Sequence, residues 1–215
     1  MKDIKCVIFD MDGVIIDSEL LHKKAYYETF VSLGLEVSEA LYKTLTGSST
    51  VNCFQRLIAH FNLDEDPNKL VLQKRKRYVN FFENDPTLHL VNGVEEIIKY
   101  FHAKNITLIL ASSSAMVNIN RVFDRFDLNP YFTAKISGAD LKESKPHPEI
   151  FEKAAILGKT PKENCIVIED SDNGVTAAND AGIFVFGYKN PMAADQTLEN
   201  ADHVITDFSE LKKYV

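Results

Sequence analysis

The chain has 215 residues, ample for a buried core and consistent with one large domain or a core carrying a small insert. Its 31 acidic against 24 basic residues leave a net charge of -7, which argues against a nucleic-acid binder, whose footprint is a basic patch. No apolar run approaches the ~18 residues needed to span a bilayer, and the first strand begins with no secretory signal before it. Cys6, Cys53 and Cys165 form no C-x-x-C pair, so buried reduced thiols in a cytoplasmic protein are expected. The expected partner is a small molecule, with no nucleic acid and no membrane, and the expected state is a monomer.

The first element is the apolar run Cys6-Val7-Ile8-Phe9, which leads into Asp10, Met11, Asp12 and Gly13. It does not alternate polar with apolar, so it reads as a strand buried on both faces of a parallel sheet. Such strands present functional groups at their carboxyl ends, where open α/β sheets bind ligands. Two carboxylates therefore emerge at one mouth and need a cation, a shared proton or solvent. A hard, oxygen-rich site of this kind suits Mg²⁺. The same D-x-D-G string also reads as a turn with helix-capping residues.

A helical block follows. Asp17 or Ser18 can cap a helix carrying Leu20, Leu21, Ala25, Phe30 and Leu33, ended near Gly34. Ser38 can cap a second, which stops at Gly47. Val51, Phe54, Leu57, Ile58 and Phe61 recur at helical spacing in a third, and Pro67 suits the first turn of a fourth. Lys74, Arg75, Lys76 and Arg77 read as a solvated face of that last helix, unless one of them reaches the active site.

Beyond it strands and helices alternate. A helix carries Val94, Ile97, Ile98 and Phe101; strands are expected at 106–111, 133–137, 165–169, 183–186 and 203–205, with helices at 117–126, 149–157 and 175–181. The expectation is an α/β protein: a Rossmann-like parallel-sheet core, 1–16 and 87–215, with an inserted all-helical cap, 17–86. Three later strand ends also carry polar groups: Ser112, Ser113 and Ser114; Lys145 between Ser144 and Pro146; and Glu169 with Asp170. Gathered on one sheet edge, these supply a nucleophile, a metal site and positive groups for phosphoryl transfer. Singly, Ser114 and Asp170 also read as helix caps and Lys145 as a surface charge. The joint order at successive strand ends favours the functional reading.

Four motifs, DMDGVIIDSE at 10–19, LASSS at 110–114, ESKPHPEIF at 143–151 and VIEDSDNGVTAANDAG at 167–182, resemble those of the haloacid dehalogenase superfamily. The branch most resembled holds β-phosphoglucomutases and sugar-phosphate phosphatases. The resemblance implies that Asp10 is the nucleophile and that Asp12 protonates the leaving oxygen and then activates the acceptor. It implies that Asp10, Asp12 through its backbone carbonyl, and Asp170 hold Mg²⁺, with Glu169 direct or through water, while Ser112 and Lys145 bind the transferring phosphoryl group. Ser113, Ser114, the cap histidine His22 and the cap loop Gly47, Ser48, Ser49 and Thr50 are the implied substrate contacts. An acid at Asp12 favours phosphate esters over halides, because an alkoxide departs poorly without a proton. Mutases of the branch resemble G-x-S-R in the cap loop and have a lysine after the serine motif. Thr50 and Ala115 stand at those places, so a phosphatase is expected, with β-phosphoglucomutase as the alternative. A receiver-like phospho-Asp domain and a non-catalytic binding protein are weaker rivals: receivers lack the helical insert, and every expected catalytic side chain is present.

Overall fold

The computed structural model describes residues 3–45, 50–86, 88–191 and 196–215. Strands β1 (Cys6–Phe9), β2 (Thr107–Ser112), β3 (Ala134–Ser137), β4 (Cys165–Glu169), β5 (Phe184–Tyr188) and β6 (His203–Ile205) form one sheet, ordered β3-β2-β1-β4-β5-β6. All its pairings are parallel. This is the α/β architecture expected from the alternating pattern. Every residue of β1 and β4 is buried, which is why neither run alternates. Cys6, Ile8, Cys165 and Val167 pack with Ile150, Phe151 and Ala154 of α7 (Glu149–Leu157) and Val175 and Ala178 of α8 (Asp172–Asp180). Phe9 meets Phe101 of α5 (Val94–Ala103), with ring centroids 6.4 Å apart. Strand order reverses direction between β1 and β4, the switch point where sheets of this kind open a crevice beyond their carboxyl ends.

The chain divides into two compact units, Met1–Asp17 with His89–Val215, and Ser18–Leu88. The second contains α1 (Glu19–Ser32), α2 (Glu39–Leu45), α3 (Thr50–Phe61) and α4 (Pro67–Asn84). It has its own core, which includes Tyr26, Phe30, Tyr42, Phe54, Leu57 and Leu70. Ser38 Oγ accepts from Leu41 N at 3.2 Å, the capping bond the sequence suggests for α2. Asp66 caps α4 by accepting from Asn68 N at 2.9 Å, with Pro67 in the first turn where its missing N–H costs nothing.

Some expectations shift. Ser18 occupies the N-cap position of α1 but makes no side-chain capping bond, because its backbone is already helical. β2 extends one residue further, so Ser112 belongs to the strand. β5 runs from 184 to 188 rather than 183 to 186. α8 begins three residues early because Ser171 Oγ accepts from Gly174 N at 3.0 Å. All three cysteines are free and buried, as expected.

Leu57 is fully buried in the helical unit. Leu57→Ala should cost about 2–5 kcal/mol of stability through lost transfer energy and the cavity left behind. A lowered urea midpoint with an unchanged slope checks this; an unaltered midpoint contradicts the packing described.

Candidate active site

β1 ends at Phe9, so Asp10 is the first residue past the sheet edge, and its N–H still donates to Ile168 O at 3.0 Å. The next strand over delivers Glu169 at its own last position. Lys145 arrives from the loop after β3, in a segment whose Lys145–Pro146 peptide is cis. Its Nζ donates to Asp10 Oδ1 at 2.6 Å, to Glu169 Oε1 at 2.7 Å and to Ala111 O at 3.1 Å. All three ammonium protons are thereby used. Only 6% of the Lys145 side chain is exposed, so the surface-charge reading fails.

Glu169 is held from its other side, where Oε2 accepts from Ser171 N at 2.8 Å and Ser171 Oγ at 2.9 Å. Gly174 leaves room for this carboxylate, since a Cβ there would collide with it. Ser112 Oγ accepts from Ser114 N at 3.0 Å, and Ser114 Oγ donates to Asp12 Oδ2 at 2.8 Å. Ser114 is therefore not a helix cap: α6 (Met116–Arg125) starts after Ala115 and has no side-chain cap. Ser113, between them, is exposed. Asp170 is not a cap either, because Ser171 fills that role for α8; its carboxylate lies where a side chain on Gly13 would be.

Lys145 thus pairs with two of the four carboxylates, Asp10 and Glu169, and Asp12 and Asp170 lie beside that pair. Burial pushes the Asp10 carboxyl up; Lys145 pulls it back, and the charges of Glu169 and Asp12 push it up again, to about 7. Burial would lower Lys145, but Asp10 and Glu169 together hold it above the usual lysine range. Burial, then Glu169 and Asp10, push Asp170 well above the usual carboxylate range. This surplus of negative charge, all of it on hard oxygen donors, fits a divalent cation such as Mg²⁺. Among the described residues no three His, Cys, Asp or Glu side chains are grouped so as to hold a metal by themselves. Mg²⁺ does not require that, since it is usually bound by one or two carboxylates plus water and substrate phosphate.

His22 Nδ1 lies 2.7 Å from Lys74 Nζ, and its ring stacks on Tyr78 with centroids 4.3 Å apart. Lys74 is only 3% exposed, with its ammonium 4.5 Å from the Tyr26 ring centre. The basic run is thus not one solvated face: Arg75 and Lys76 are exposed, and Lys74 points inward. The sequence held the signal, because Leu70, Lys74, Tyr78 and Phe82 recur every fourth residue on a stripe otherwise apolar. Thr50 opens α3. Gly47, Ser48 and Ser49 lie outside the described residues.

The family model described as haloacid dehalogenase-like hydrolase matches residues 7–188. The phosphorylated carbohydrates phosphatase of Thermotoga maritima is 32% identical over 184 residues, 84% of this chain and 82% of that protein. Hexitol phosphatase B of Escherichia coli K12 is 32% identical over 183 residues, 84% of this chain and 81% of that one. The structure of β-phosphoglucomutase from Clostridium difficile superposes with a TM-score of 0.80 at 28% identity, covering 98% of this chain and 95% of that one.

A carboxyl raised on folding takes up a proton in the folded state, so its contribution to stability falls as pH rises from ~4, the ordinary carboxylate value. For Asp10 the loss is complete above about 7. Without divalent cations, Asp10→Asn should therefore raise Tm at pH 8 and have little effect at pH ~4. A Tm difference that does not change with pH contradicts this.

Proposed function

The chain belongs to the haloacid dehalogenase-like hydrolase family, and on that premise we propose that it is a Mg²⁺-dependent phosphatase of a small sugar or polyol phosphate. The observation that carries the reading is Lys145 bridging Asp10 and Glu169, out of solvent, at the switch point of the sheet. A desolvated ammonium beside a carboxylate nucleophile is what a phosphoryl group needs on arrival.

In this reading an Asp10 carboxylate oxygen attacks phosphorus, and the bond from phosphorus to the ester oxygen breaks. Asp12 gives its proton to the departing alkoxide. Asp12 then takes a proton from water as that water attacks the aspartyl-phosphate, which frees Asp10 and inorganic phosphate. Lys145 and Ser112 hold the equatorial oxygens, so Lys145 exchanges part of its bond to Asp10 for the phosphoryl group. Asp10, the Asp12 carbonyl and Asp170 would hold Mg²⁺, with Glu169 acting through water because Lys145 and Ser171 already engage both its oxygens. When bound, the ion supplies charge neutralisation at the phosphoryl oxygens. Ser113, Ser114, His22, Gly47, Ser48, Ser49 and Thr50 stand as the proposed substrate side. Two relatives named as phosphatases of phosphorylated carbohydrates and hexitols support the substrate class.

The likeness to β-phosphoglucomutase favours a second reading, in which a sugar hydroxyl replaces water as acceptor. Thr50 and Ala115 weigh against it, since a bisphosphate that reorients between two sites needs cationic grip at both ends.

One incubation separates the two. With Mg²⁺, β-glucose 1-phosphate and a trace of glucose 1,6-bisphosphate, a phosphatase releases free phosphate and forms no glucose 6-phosphate. Fast glucose 6-phosphate with little free phosphate identifies the mutase. EDTA should abolish turnover, and Asp10→Asn should lower it about 10³-fold or more with the fold intact; turnover retained in that variant contradicts the mechanism.

A further inference from the structure

Asn190 lies just past β5, twenty residues beyond the last acidic pair of the site, yet it is only 6% exposed. Its Nδ2 donates to the Gly13 carbonyl at 2.9 Å, and its own N–H donates to Tyr188 O at 2.9 Å, closing a tight turn that aims the amide at the mouth of β1. Gly13 has φ +85, a conformation glycine reaches freely but does not hold by itself. No side chain can steady it, because a Cβ there would strike the Asp170 carboxylate. The residue is fixed from outside instead: its N–H donates to Ile16 O at 2.8 Å, and its C=O accepts from Asn190. Asp12 immediately precedes it and has its carboxylate held by Ser114 Oγ.

We infer that Asn190 is a positioning residue for the reaction: by clamping the Gly13 carbonyl it fixes the backbone from which Asp12 delivers and recovers its proton. This rests on the role proposed above for Asp12. Acid delivery depends on direction as well as distance, and a small misplacement of a reacting group is enough to lose much of a rate. Ser114 sets the carboxylate and Asn190 sets the Gly13–Val14 peptide, the next one along the chain. Releasing either frees Asp12 without touching the side chains of Asp10, Lys145 or Glu169, and the comparison is made at saturating Mg²⁺ because the Asp12 carbonyl is also a proposed ligand.

The test compares kcat/KM for glycerol 2-phosphate, whose alkoxide needs a proton to depart, with that for p-nitrophenyl phosphate, whose phenolate does not. Asn190→Ala and Asn190→Ser are measured beside Asp12→Asn and Asp10→Asn. Asn190→Ala should lower kcat/KM for the alkyl ester by about 10-fold to 100-fold and for the aryl ester by less than about 3-fold, the pattern of Asp12→Asn in milder form. Equal losses on both esters, or none on either, overturn the inference. So does failure of both Asn190 variants to fold, since the amide is then only structural. Should Asp10→Asn stay active, or Asp12→Asn spare the alkyl ester, the reading of the site fails and this inference falls with it. That failure is visible in those two variants alone.

Discussion

The ion triad of Lys145 with Asp10 and Glu169 is the constraint on which the rest of the site depends. Each member is buried, and a buried charge is tolerable only when paired and hydrogen-bonded. The sheet meets that condition by geometry. β1 and β4 are neighbours in register, so Phe9 pairs with Ile168 and the next residue of each strand is a carboxylate. Lys145 reaches both from the far side of β2 and closes the set on the Ala111 carbonyl. The apolar strands are thus the condition for the chemistry: they remove water from charges whose mutual attraction then counts for more.

The same triad is under-compensated. One ammonium faces four carboxylates, and the two without a lysine of their own are accommodated differently. Asp12 is tied by a neutral hydroxyl, and Asp170 lies against a glycine that leaves it space. The electrostatic imbalance points in the direction of the proposed chemistry. In the proposed reaction a cation and a phosphoryl group would supply new partners for these carboxylates and for Lys145. The raised Asp10 and Asp170 carboxyls follow first from burial and then from the charge of the neighbouring carboxylates.

Much of this was legible in the sequence because it rests on local patterns. Uninterrupted apolar runs ending in Asp, Ser or Glu identify buried parallel strands and the groups at their mouths, and the strand order then brings Asp10, Lys145 and Glu169 together. Element ends were less legible where a single side chain decides them, as when Ser171 starts α8 early. Long-range partners were not legible at all. Nothing near Ser114 signals that it binds Asp12, 102 residues earlier, and nothing near Asn190 signals Gly13. Lys74 is the instructive middle case. Its sequence neighbours Arg75 and Lys76 suggested solvent, whereas its neighbours at helical spacing, Leu70 and Tyr78, indicated the interior.

In the proposed mechanism Asp10 carries the phosphoryl group. Acid quenching during turnover with Mg²⁺, followed by sodium borohydride, reduces an acyl phosphate to an alcohol and leaves homoserine in place of the aspartate. Peptide mass spectrometry should then find homoserine at position 10, only when phosphate ester and Mg²⁺ are both present. Turnover that leaves position 10 as aspartate, or homoserine at another carboxylate, would exclude Asp10 as the nucleophile.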